Sequence, residues 1–219
     1  GTQYRFKVVD YVSVSPVATA SAATGDGSNA EADSKGNIVL TVKDPAAATL
    51  PVSIAATGYH TLAINVPVGT TGVTTVQLVY GRQEVYVSKQ SGKYDVYKAD
   101  INGQNKALLL AATGNESDQI ALVMHPTDEE AALVDTRDNV RDSGGYLEQT
   151  LTLINVDSGA PLTVDHSDRI QIVGWADDRL IFVEAKPGAS AANSSRYLLL
   201  AYDYKTNQRL ELDHAIYFN

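Results

Sequence analysis

The sequence predicts an all-β chain: an antiparallel β-sandwich over residues 1–78, then a partial, about three-blade, β-propeller-like repeat region over residues 79–219. Three observations predict it. Helical periodicity is missing, since no twelve-residue stretch places apolar side chains at i, i+3, i+4 and i+7. Strand-like alternation runs through the first third of the chain. In the rest, one unit of short strands is written three times. Its first strands are Glu84-Val85-Tyr86-Val87-Ser88, Ala131-Ala132-Leu133-Val134-Asp135 and Leu180-Ile181-Phe182-Val183-Glu184, with Tyr86, Leu133 and Phe182 standing 47 and 49 residues apart. Recurrence at that period, built from short strands, is the signature of propeller blades.

Tyr4, Phe6 and Val8 share one face of the opening strand. Tyr11 to Ser15 alternates as well and reads as a second strand, which Pro16 confines to an edge or an end. Ala18 to Ala23 is a strand of small side chains, and Gly25-Asp26-Gly27 is a turn or loop. Asp33 to Asn37, with Gly36, precedes the β-branched run Ile38 to Val42 and reads as a hairpin turn, because glycine supplies the positive φ. Pro51 to Ala56 and Tyr59 to Val66 follow, the latter with Leu62, Ile64 and Val66 on one face.

The order Asp33-x-x-Gly36-Asn37, Leu40-Thr41-Val42, Leu50-Pro51-Val52-Ser53-Ile54 and Gly58-Tyr59-x-Thr61 resembles the carboxypeptidase-regulatory-like family, a transthyretin-type β-sandwich. The match covers roughly residues 4–78, and the opening around Asp10 to Val17 departs from the family by lacking its glycine turn. The resemblance implies a non-catalytic accessory module of the kind repeated on bacterial surface proteins, with a spacer or binding role.

In the repeats, each first strand leads to a second: Tyr94 to Tyr97, Leu151 to Ile154 and Tyr197 to Leu200. Turns at Asn102-Gly103, Ser158-Gly159 and Thr206-Asn207 lead to third strands at Lys106 to Leu110, Pro161 to Val164 and Arg209 to Leu212. The second and third units gain a leading strand, Ile120 to Met124 and Arg169 to Val173, each running into an acidic turn. This grammar of apolar strand, acidic turn and apolar strand resembles TolB-type and related WD-like propeller repeats over about 140 residues. Three units fall short of the 4–8 blades of a closed propeller. Ile216 to Asn219 reads as the opening strand of another unit. Either the chain is a fragment, or the three units meet others from a second chain, or the repeat closes in a compact way; an exposed apolar sheet edge would otherwise invite association.

Net charge is −9, which argues against nucleic acid and against an anionic membrane surface as partner. With no cysteine the chain has no disulfide, thiolate nucleophile or Cys-ligated metal. No apolar run is long enough to cross a membrane as a helix, and an anchor or signal upstream of Gly1 is compatible with the rest. Asp165-His166-Ser167-Asp168 holds the residue types of a hydrolase triad, but neighbours within one turn do not supply triad geometry, so it reads as a polar turn. His60, His125, His166 and His214 form no metal spacing, and Asp26, Asp33, Asp177 and Asp178 do not follow the EF-hand order. No cofactor or metal is expected. Asn115-Glu116-Ser117 and Asn193-Ser194-Ser195 fit the glycosylation pattern and mark surface loops. Twelve tyrosines against three phenylalanines favour rings packed inward with their hydroxyls in water.

Two long polar loops, Thr136 to Tyr146 and Lys186 to Arg196, join the same pair of strands in successive units and belong on one rim. The candidate binding residues of that rim are Arg137, Asp138, Arg141, Tyr146, Trp175 and Arg196. The expected function is a non-catalytic binding or display module of a prokaryotic surface protein, extracellular, cell-surface or periplasmic, with a protein or glycan ligand or copies of itself as partner. The rivals are a fibre or pilus subunit assembling through open β edges, and an accessory region of a larger peptidase or hydrolase.

Overall fold

The computed structural model describes residues 1–43, 47–186 and 196–214, and among these the chain forms eighteen strands and no helix. It divides into two compact units, Gly1–Glu84 with Ala99–Asn105, and Val85–Lys98 with Lys106–Asn219.

The first unit contains β1 (Thr2–Asp10), β2 (Ser21–Thr24), β3 (Asn29–Glu31), β4 (Asn37–Val42), β5 (Thr49–Ala55), β6 (Leu62–Pro67) and β7 (Val73–Leu78). They form two sheets, β4-β1-β7 and β3-β2-β5-β6. Alternation decides which side chains go inside. Tyr4, Phe6, Ile38 and Leu40 from one sheet and Ala22, Val52, Ile54 and Val66 from the other share a single core. One expectation is corrected. β7 runs parallel to β1, from Arg5↔Val73 to Asp10↔Leu78, so that sheet is mixed rather than antiparallel. A parallel neighbour needs a long crossover, and β2 to β6 supply it.

Two local expectations also change. Tyr11 to Ser15 is a turn, not a strand. The Asp10 carboxylate accepts the backbone N–H of Val12 at 2.9 Å and of Ser13 at 2.7 Å, and Val14 adopts φ 58°. These local bonds outcompete the ladder and leave Tyr11, Val12 and Val14 exposed. The turn at Asp33 forms, with Asp33 Oδ1 accepting from Lys35 N and Asn37 N and Gly36 at φ +76°. It is a corner rather than a hairpin, because β3 pairs with β2 while β4 pairs with β1.

The second unit holds three sheets. The first is β10-β9-β8, from β8 (Glu84–Ser88), β9 (Asp95–Ala99) and β10 (Ala107–Leu110). The second is β11 (Ala121–Met124), β12 (Glu130–Asp135), β13 (Gln149–Asn155) and β14 (Pro161–Ser167), and the third β15 (Ile170–Ala176), β16 (Arg179–Ala185), β17 (Tyr197–Asp203) and β18 (Gln208–His214). The second and third are antiparallel meanders in chain order. The sheets stack face to face. Ala132, Val134, Leu151 and Leu153 pack with Leu180, Phe182 and Leu200, while Ala131, Leu133 and Ile154 pack with Val96 and Leu109. β12 and β13 of the middle sheet are therefore buried on both faces, which explains why β12 carries the continuous apolar run Ala131 to Val134. Gly159, at φ +74°, allows the β13–β14 turn to close on the first sheet, since a Cβ there would lie 2.5 Å from the Leu109 carbonyl oxygen.

A meander sorts its connections to two ends. One end of the second unit collects the β12–β13 loop (residues 136–148), the β10–β11 link (111–120) and the β14–β15 link (168–169). The other collects the turns β11–β12 (125–129), β15–β16 (177–178) and β17–β18 (204–207). Most of the Lys186 to Arg196 loop, the Asn193 acceptor and the Ile216 to Asn219 strand lie outside the described residues.

Candidate binding site

At the first of these ends a cleft of about 790 Å³ opens between the second and third sheets. Its walls include Ser117, Gln119, Thr136, Gln149, Asp168 and Gln171. The sequence folds this way locally because the loops carry their own caps. Glu116 accepts the N–H groups of Thr113 and Gly114, and Thr136 Oγ1 donates to Asn115 O at 2.6 Å while accepting from Ser117 N at 3.0 Å. Gln149 Oε1 accepts the Ile170 N–H at 2.6 Å, fixing the β14–β15 link against β13. Asp142 Oδ1 accepts from Gly144 N and Tyr146 N, and the Arg141–Leu147 bridge closes a small hairpin whose far strand enters the cleft wall at Leu147.

Acids dominate the electrostatics. Burial, the nearby Asp142 charge and a hydrogen bond with Asp142 raise the Asp168 carboxyl above its ordinary range. Asp135, 2 % exposed below the loop, is pushed up to about 6 by burial, against the pull of the Arg137 N–H. Burial also acts on Glu116, but the N–H groups of its own cap outweigh it and hold that carboxyl low. Asp118 accepts a hydrogen bond from the Tyr94 hydroxyl and lies 3.9 Å from Lys89 Nζ.

The structure gathers four expected residues on the 136–148 loop. Arg137 donates to Ala111 O at 3.3 Å. Asp138 lies 2.9 Å from His166 Nε2 and accepts from Thr163. Arg141 donates to Gly145 O at 2.7 Å, and the Tyr146 ring is 76 % exposed. Arg196 stacks its guanidinium 4.6 Å from the Tyr197 ring centre, at the start of β17. Trp175 is not on this rim. It sits at the end of β15 next to the 177–178 turn, at the opposite end of the strands. The long loops of the rim join second strands to third within each four-stranded sheet, whereas the turn after Trp175 joins the first strand to the second.

Trp175 belongs to a different cluster. Its ring meets His125 at 4.8 Å and Tyr204 at 5.9 Å, edge on, and its N–H donates to Val123 O. His125, Asp128 and Asp178 place potential ligand atoms within 4.8 Å of one another. The donor set does not suit a metal ion. His125 Nε2 is 2.8 Å from Asp177 O, and Nδ1 accepts the N–H of Asp128 at 2.8 Å, so both ring nitrogens are engaged. The Lys205 ammonium lies 2.8 Å from Asp178 and 3.4 Å from Asp128, where a cation would sit.

Asp165 to Ser167 form the end of β14 rather than a polar turn, with Asp168 in the link beyond, and the strand's alternation separates Asp165 and Ser167 from His166. Asp165 faces Arg209, which also donates to buried Glu184, and Ser167 donates to Ala185 O. His166 turns instead to Asp138. Burial and the Asp165 carboxyl raise Glu184 well above the usual glutamate range. Asp168, Gln119 and Gln171 escaped the sequence reading because each is an ordinary polar residue at a strand boundary. Only the stacking of two sheets brings them together.

The first unit has a shallow hollow of about 410 Å³ on the outer face of β2, β5 and β6. Ala23, Pro51, Ser53 and Ala63 line it without an ionisable group.

No family model matches the chain, and no curated protein matches it. Among solved structures, prolyl oligopeptidase B from Galerina marginata is similar at 10 % identity and a TM-score of 0.42, over 88 % of this chain and 26 % of that one. The present chain thus spans about a quarter of that protein's length. A putative TolB from Agrobacterium tumefaciens is similar at 12 % identity and TM-score 0.40, over 94 % and 68 % of the two chains. The β-propeller domain of the Trilobed protease from Pyrococcus furiosus is similar at 11 % identity and TM-score 0.40, over 98 % and 58 %. At these values the likeness extends to no activity, substrate or partner.

Proposed function

We propose that the chain is a β-sandwich joined to a partial, about three-blade, propeller region, and that it serves as a non-catalytic recognition module of a prokaryotic surface protein, binding a glycan in the cleft between the second and third sheets. The observation that carries this reading is the cleft itself. It is concave, of ligand size, and walled by amide and hydroxyl side chains, which suit the many donors and acceptors of a sugar. The exposed Tyr146 ring beside Leu147 offers the flat apolar surface that sugar rings stack on. The test is NMR chemical-shift mapping with a panel of soluble oligosaccharides. Shifts confined to Gln119, Gln149, Asp168 and Gln171, and lost in Gln171→Trp, are the expected result. Shifts elsewhere, or release of reducing ends that a single polar-to-Ala change abolishes, would overturn the reading.

A second reading, self-assembly through open edges, draws on the first sheet. β12 and β16 each pair with a leading strand, β11 or β15, whereas β8 has β9 as its sheet neighbour and no leading strand among the described residues. Light scattering over a wide concentration range separates the two. Mass that grows with concentration favours assembly; a constant monomer leaves recognition.

A further inference from the structure

Resting on the self-assembly reading, we propose that the contact is a sheet face rather than a sheet edge. Two copies of the chain join head to tail, the third sheet of each packing on the first sheet of the other. Within the second unit every sheet has a forward face, toward the sheet that follows it, and a backward face. The repeat assigns side chains to each. Val85 and Val87 pack forward on the middle sheet, and 47 residues on Ala132 and Val134 pack forward on the third. A further 49 residues on stand Ile181 and Val183, on a forward face that no fourth sheet follows among the described residues. Their cross-strand partners agree. Leu153 and Leu151 lie opposite Ala132 and Val134, and Ala201 and Leu199 take the same places opposite Ile181 and Val183. The backward positions are Tyr86, Leu133 and Phe182. Leu133 and Phe182 are buried against the preceding sheet, whereas Tyr86 has no preceding sheet of its unit to meet among the described residues.

Repeats that end a stack close it with a polar outer face. Neither end of this stack has one. The backward face of the first sheet shows Tyr86, stacked on Tyr97 with ring centres 5.9 Å apart, and Leu108, which lies opposite Tyr97 and is 55 % exposed. On the forward face of the third sheet, Val183 and Ala201 are buried and Ile181 and Leu199 half-buried, while Leu210, opposite Ala201, is 57 % exposed. A hollow of about 270 Å³ opens there, walled by Arg179, Ala201, Gln208 and Leu210. The two faces match in kind. Inside the unit, the aliphatic forward face of the middle sheet receives a backward face carrying Phe182 and Tyr202. The open aliphatic face would receive Tyr86 and Tyr97 of a second copy in the same way, which continues an interface the unit already makes. Each face also carries both signs of charge, Arg179 with Asp203 on one and Glu84 with Lys106 on the other. Number sets the size. A head-to-tail contact either closes into a ring or runs on as a filament, and closed rings of such sheets hold about 4–8. One copy supplies three and two supply six, so closure comes at the pair.

The test is sedimentation equilibrium of the full chain over a wide concentration range. The expected mass rises to twice the chain's 23.4 kDa and stops there. Leu108→Arg and Leu210→Glu, one on each face, should each weaken the pair roughly tenfold or more, as loss of a buried anchor does. Both sites are exposed in the single chain, so its melting temperature at high dilution should not move. An equimolar mixture of the two variants should recover pairing. One of its two contacts is then free of substitutions and the other sets Arg against Glu, a rescue that a contact between like faces does not give. Val39→Arg, on the exposed face of β4, should leave the pair intact, and equal weakening there would show unspecific apolar association and overturn the proposal. A pair broken by only one of the two face variants, or not recovered on mixing, also overturns it. Mass that climbs past the pair overturns closure. If both face variants leave that climb unchanged, the contact lies at the edges, so self-assembly stands and the face inference falls. A constant monomer ends both.

Discussion

The two units use β-strands in opposite ways. In the first, β4 and β5 alternate strictly, with Ile38, Leu40, Val42, Leu50, Val52 and Ile54 inside and their neighbours exposed. In the middle sheet of the second, β12 buries Ala131 to Asp135 without a break, and β13 buries Thr150 to Ile154. One sheet covering one core gives a two-residue rhythm; a sheet stacked between two others loses it. Tolerance should follow the same division. The first unit has a solvent face on which substitution is cheap, and β12 and β13 at the centre of the second have none.

The largest expected effect tests that claim directly. Leu133→Ala and Leu153→Ala point to opposite faces of the middle sheet, and each should cost roughly 2–5 kcal/mol in urea unfolding followed by Trp175 fluorescence. If only one is costly, the middle sheet is not doubly covered. Next comes acidity. Asp135 has a folded pKa of about 6 against an ordinary 3.8, raised by burial, so the folded state keeps its proton longer than the unfolded one. Its burden is absent below about pH 4 and grows as pH rises through about 6, reducing stability by roughly 2–3 kcal/mol across that window. Asp135→Asn should flatten the slope there; an unchanged slope would remove Asp135 as its source.

Gly159→Ala should cost about 2 kcal/mol, from its positive φ and the collision with Leu109 O. A neutral result would mean the turn does not close on the first sheet. In the first unit, Asp10→Ala strips the cap from the 11–14 turn and the partner from Tyr59, and should cost roughly 1–2 kcal/mol by thermal unfolding. The smallest effect belongs to Val39→Thr on the open face of β4, expected to stay within about 0.5 kcal/mol.

Most strands were legible because apolar periodicity is a local property. Tyr4, Phe6 and Val8 alternate and are buried; Ala131 to Val134 do not alternate and are buried too. What escaped was set by single polar groups or by distant pairing. A strand pattern at Tyr11 to Ser15 lost to one carboxylate, and the parallel β1–β7 pairing depends on residues some seventy positions apart, with no local mark. The site was legible only in part. Length and polarity exposed the 136–148 loop, whereas Asp168 and Gln171 join the cleft through the stacking of whole sheets. Trp175 was misplaced because composition cannot say to which end of a meander a turn belongs.

The doubly covered middle sheet also has a temporal consequence. Each outer sheet has one neighbour to hold it, so its free-edge strands can open without disturbing the rest. The middle sheet cannot open unless an interface on one side is lost first. Amide hydrogens of β12 and β13 should therefore exchange with solvent only through unfolding of the whole stack, those of β8 and β18 through small excursions. The unit would then keep time by two clocks, a slow one at its centre and a fast one at its margins.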